Sequence, residues 1–156
     1  MTALRPLLHL TVTPCLATAL ATAPAAVADP QSSSLCPEGA LTSVPDGRLQ
    51  CRAGQWQPST NVNPAVGQWL TYGPPLTLSG TGRRNPEIAS GSWVGRPQEP
   101  KSRCRAEQVP LAGPPQTEPE SPEVTTGDPG QPLSMQVPPT LYSITLSGDC
   151  LWQRVR

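Results

Sequence analysis

The sequence predicts an all-β protein: a small disulfide-stabilised sandwich or partial barrel, preceded by a short β-meander and carrying long proline-rich loops. Three observations carry that reading. Short stretches alternate apolar and polar residues at intervals of roughly ten, the spacing of strands in a sandwich. The 22 Pro and 13 Gly among 156 residues exclude long helices, because proline lacks an amide proton and clashes with the preceding turn. Four cysteines, Cys36, Cys51, Cys104 and Cys150, follow an export-type leader, and in an exported chain such a set is expected to form two disulfides.

The leader comes first. Arg5 supplies a positive charge, Leu7, Leu8, Leu10, Val12, Leu16 and Leu20 form an apolar stretch, and Ala26-Val27-Ala28 has the small-x-small form that signal peptidase accepts. Residues 1–28 are therefore expected to be a signal peptide, cleaved after Ala28, with 29–35 a flexible start to the secreted protein. His9, Pro14 and Pro24 interrupt the apolar run, so it falls short of the ~18 uninterrupted residues of a spanning helix. No transmembrane anchor is expected in the mature chain. Cleavage removes Arg5, Cys15 and the sole histidine, His9.

A small meander is expected over 36–58. Pro45-Asp46-Gly47 is a turn signal, since proline presets φ and glycine accepts a positive one. Leu49, Cys51 and Ala53 alternate with Arg48, Gln50 and Arg52 as a half-buried strand, Ala53-Gly54 turns, and Gln55-Trp56-Gln57 follows as another. A unit of that size needs its disulfide to be stable. A polar linker, 59–64, leads into a β-rich domain over 65–156.

In that domain Trp69 to Tyr72, Leu76 to Leu78, Gly91 to Val94 and Arg103 to Ala106 read as short strands. From 109 to 132 the chain is dense in proline and carries Glu118, Glu120, Glu123 and Asp128, so it reads as a long acidic loop. Leu133, Met135 and Val137, then Tyr142, Ile144 and Leu146, then Cys150 and Trp152, carry the clearest period of two. Four cysteines allow three connectivities. The sequential one, Cys36–Cys51 with Cys104–Cys150, is preferred because each bridge would then serve a local β unit.

Excluded chemistry is easier to read than function. Without histidine in 29–156, Ser-His-Asp and Cys-His catalysis and most zinc or copper sites are not expected. Lys101, the only lysine, sits in a polar context that does not suit a catalytic base, and no phosphate-binding glycine loop occurs. Eleven basic and eleven acidic residues give no electrostatic case for nucleic acid. Neither a cofactor nor a metal is expected.

What remains is surface contact. Trp56, Trp69, Arg83 and Arg84 are the candidate interaction residues, the rings for stacking and the arginines for an acidic partner, with Trp93 and Trp152 assigned to the core. Two rival readings are a secreted enzyme inhibitor that inserts the proline-rich loop 109–122 into a cleft, and a histidine-free hydrolase using Glu118, Glu120 and Glu123.

The leader, the segment Asp46-Gly47-Arg48-Leu49-Gln50-Cys51-Arg52-Ala53-Gly54-Gln55-Trp56, and the segment Ser147-Gly148-Asp149-Cys150-Leu151-Trp152-Gln153-Arg154 resemble those of small exported actinobacterial proteins of unknown function. The resemblance assigns no functional residue. The framework of strands and disulfides without catalytic groups is what points to a secreted or envelope-associated, non-enzymatic protein whose partner is a protein or another envelope component.

Overall fold

The computed structural model describes residues 36–60, 67–113 and 118–155. The expected signal peptide, the stretch 29–35 and positions 61–64 of the linker lie outside them. Eleven strands run in chain order: β1 Leu41–Val44, β2 Gly47–Arg52, β3 Gln55–Pro58, β4 Gln68–Thr71, β5 Leu76–Ser79, β6 Gly91–Pro97, β7 Arg105–Pro110, β8 Glu123–Thr126, β9 Leu133–Val137, β10 Leu141–Ser147 and β11 Cys150–Arg154. They form a seven-stranded sheet, ordered β3-β2-β1-β4-β11-β6-β9, and a four-stranded sheet, ordered β5-β10-β7-β8. Neither sheet closes into a barrel, so the molecule is a sandwich.

The main core lies between the sheets. Leu41, Trp69, Trp152, Gly95 and Leu133 are successive register partners across the larger sheet, and the four apolar side chains among them are buried. Leu76 and Leu78 of β5, Ala106 of β7, and Ile144 and Leu146 of β10 face them from the smaller sheet, with Ile88 from a loop. Trp69, Trp93 and Trp152 are each fully buried, which makes up for the absence of Phe, since each ring removes roughly 150–250 Å² from water. Their indole N–H groups stay paired: Trp69 donates to the Glu87 carbonyl at 3.2 Å, Trp93 to the Ala89 carbonyl at 2.8 Å, and Trp152 to Thr71 Oγ1 at 3.0 Å.

Gly95 makes room for one of these rings. A Cβ there would fall 2.6 Å from Cζ3 of Trp152, closer than any real contact, so only glycine lets the indole lie flat across β6.

The meander β1–β3 buries apolar residues on both sides of the same sheet. Side chains alternate along a strand, so Leu41 faces the main core while Ala40 and Thr42 face away from it. Cys36, Ala40 and Cys51 form a second small cluster there, with Trp56 and Leu151 packed against it. Arg48 and Gln50 of β2, opposite Ser43 and Leu41 in the register, take the inward direction.

Both expected disulfides are present. Cys36–Cys51 closes the meander and Cys104–Cys150 ties the start of β7 to β11. The second therefore joins the two sheets rather than a single local unit. Two bridges in one chain indicate an oxidising environment.

Part of the segment expected as a loop, 109–132, is paired. Val109 and Pro110 end β7, Leu111 and Pro119 form an isolated bridge, and β8 pairs with β7 from Arg105↔Thr126 to Gln108↔Glu123. Val124, Thr125 and Thr126 favour the extended chain. Proline is tolerated because the strand is at an edge, with Pro122 just before it.

Candidate functional site

Two of the four candidate contact residues stand together on the surface. Arg83 and Arg84 are exposed on the loop between β5 and β6. Several hydrogen bonds fix that loop against the start of β10. Gly80 N–H donates to the Tyr142 carbonyl at 2.9 Å, Gly82 N–H to the Leu141 carbonyl at 2.7 Å, and Arg83 N–H to the Gly80 carbonyl at 3.1 Å. Thr81 Oγ1 donates to the Pro139 carbonyl at 2.7 Å. The approach is close: a Cβ on Gly80 would lie 2.3 Å from the Leu141 carbonyl oxygen.

On this base the Arg83 guanidinium lies over the Tyr142 ring, 4.8 Å from its centroid. Such stacking restrains a long flexible side chain and leaves its N–H edges free to meet a carboxylate. Neither Arg83 nor Arg84 forms an ion pair with a described residue. The loop thus presents two positive charges, of which Arg83 is held against a ring.

Trp69, the third candidate, is fully buried and is no surface residue. Its neighbours in the sheet, Leu41 and Trp152, turn it toward the core. The fourth, Trp56, is half-buried on the edge strand β3, packed on the Cys36–Cys51 cluster. It sits on β3, whereas the arginines sit on the loop between β5 and β6.

Sequence reasoning did not single out Glu87. Its carboxylate pairs with Arg48 and accepts the Ser79 N–H at 2.7 Å, while its carbonyl accepts the Trp69 indole N–H. The Arg48 guanidinium also lies 5.2 Å from the Trp69 ring centroid. One loop residue thereby links β2, β4 and β5. Its partners are scattered along the chain, so no local spacing announces it.

Beside this network β1 and β4 run parallel, sharing a ladder pair only at Leu41 and Trp69. Where they part they leave a groove of about 420 Å³, lined among others by Val44, Pro45, Tyr72, Pro74 and Thr77. Its one charged lining residue is Arg48, already engaged by Glu87.

The acidic residues are dispersed. Glu118, Glu120 and Glu123 are exposed along the β7–β8 arm. Asp149, half-buried where β10 crosses into β11, has its carboxyl pushed above the ordinary value of 3.8 by desolvation and then by the charge of Glu99. Among the described residues no cluster of three or more His, Cys, Asp or Glu is placed to hold a metal ion, and no helix is long and apolar enough to cross a membrane.

A scan of protein-family models, a search of curated proteins and a search of solved structures each find no match for this chain.

Proposed function

We propose that this is an exported protein, free or held at the cell envelope, that works by surface contact and not by catalysis, with the Arg83–Arg84 loop as the contact point for an acidic protein surface. The observation that carries the reading is the mounting of those arginines. Four hydrogen bonds fix the loop and a ring holds Arg83, while the charges themselves are left unpaired among the described residues. Ordering long side chains before binding lowers the entropy lost on association, and arginine matches carboxylates with two parallel hydrogen bonds. The disulfide-bonded sandwich behind the loop supplies the rigidity. Two arginines are too few to hold a membrane surface, where about 4–8 clustered cations are needed.

The test is capture of binding partners by immobilised, oxidised protein, run beside the R83E/R84E variant. A partner retained by the first, released by moderate salt and lost with the second supports the reading. Equal retention by both proteins, or substrate turnover by the wild type, would overturn it.

A further inference from the structure

Four strands end the two sheets: β3 and β9 in the larger, β5 and β8 in the smaller. An edge strand offers main-chain N–H and C=O groups to any other strand, and proteins guard such edges with short length, charge, proline or a covering segment. Three of these edges are guarded. β3 has four residues and ends in Pro58. β5 has four, and Glu87 lies along it, accepting the Ser79 N–H through its carboxylate and donating its own N–H to the Ser79 carbonyl. β8 has four, with Glu123 placing a charge on it.

Prolines bracket β9, Pro132 before it and Pro138 after it, but among the described residues the strand itself carries none of these devices. Its five residues, Leu-Ser-Met-Gln-Val, include no charge and no proline. It pairs with β6 in unbroken register from Gly91↔Val137 to Gly95↔Leu133, without a bulge to turn the edge away. Among the described residues no backbone hydrogen bond from a turn or loop reaches Leu133–Val137.

We propose that β9 is the docking edge for a second copy of this chain, paired antiparallel about a twofold axis at Met135. The strand is self-complementary in that register. Inward-facing Leu133 meets Val137 of the partner subunit, and Met135 meets Met135 of the partner subunit, so both main cores run on into each other. Outward-facing Ser134 meets Gln136 of the partner subunit, polar against polar. Twofold pairing of this kind uses one patch twice and closes on itself. It merges the two larger sheets into one continuous sheet. The exposed edge of β8, joined to β9 through residues 127–132, carries Val124, one of two large apolar side chains left exposed among the described residues. Dimerisation brings that side of each sandwich toward its mate.

Sedimentation equilibrium on the oxidised protein tests the pairing, with circular dichroism confirming the fold of each variant. The wild type should show a monomer–dimer equilibrium. S134K/Q136K places like charges opposite each other twice and should raise the dimer Kd by about tenfold. S134K/Q136E makes each of those pairs opposite in sign and should restore the dimer. A wild type that stays monomeric at the highest attainable concentration, or a dimer that both variants weaken alike or leave unchanged, would overturn the proposal.

Discussion

Gly95→Ala tests how tightly the core is built around Trp152. The added Cβ would lie 2.6, 2.8 and 3.0 Å from Cζ3, Cε3 and Cη2 of that ring, against about 3.5–4.0 Å for an ordinary carbon contact. The ring must retreat by about 1 Å. It has no free space to enter, being fully buried and tethered through Nε1 to Thr71 Oγ1 at 3.0 Å. Overpacking of this kind costs about 1–3 kcal/mol, and the loss of glycine's freedom in the unfolded chain offsets ~0.4–1 kcal/mol of it. A net loss of about 1–2 kcal/mol follows, which lowers Tm by about 3–10 °C in a domain of this size. Urea unfolding followed by tryptophan fluorescence should show a lower midpoint with an unchanged slope. Trp152→Phe removes the outer ring that the Cβ strikes, so in that background Gly95→Ala should cost almost nothing. The coupling in such a cycle should reach about 1 kcal/mol. An Ala variant as stable as wild type, or one equally damaged in both backgrounds, would refute the packing argument.

Three further outcomes are expected. Arg48→Ala should destabilise by about 1–3 kcal/mol, because it strips Glu87 of its counter-charge in a pocket where the two side chains are only 24% and 15% exposed; a double-mutant cycle with Glu87→Gln isolates the pair. Ala53 has φ 52° and Gly54 φ 73°, the pattern of a two-residue hairpin turn that favours Asn-Gly, so Ala53→Asn should raise stability by about 0.5–1 kcal/mol in thermal unfolding. The folded state holds the Asp149 proton more tightly than the unfolded state, by desolvation and then the charge of Glu99. Its contribution is therefore greatest below 3.8 and is lost as pH rises through the elevated folded value. In denaturation curves across that window, Asp149→Asn should remove this part of the pH dependence.

The strands easiest to read from sequence are those with one face buried and one face wet. Leu133, Met135 and Val137 are buried while Ser134 and Gln136 are exposed, so the period of two was visible in the residues themselves. Cysteine parity was equally legible. Other features depend on partners far along the chain. Gly54-Gln55-Trp56 and Gly67-Gln68-Trp69 look alike, yet Trp69 sits between β1 and β11 while Trp56 is on an edge. Ser147-Gly148-Asp149 reads as a turn, and nothing in it tells that the turn carries the chain from one sheet to the other. Glu87 meets Arg48 and Ser79 at separations of 39 and 8 residues, which no short pattern encodes. In β8 the surrounding prolines and acids masked three β-formers.

The place of β11 in the larger sheet has a consequence for the timing of folding. It lies between β4 and β6, although both precede it in the chain by more than fifty residues. Until residues 150–154 arrive, those two strands have no common neighbour, the sheet stays in separate pieces and Cys104 lacks its mate. Non-local closure of this sort is slow. A chain that cannot lock before its late segment is in place closes its Cys104–Cys150 bridge only after the strand carrying Cys150 has been made.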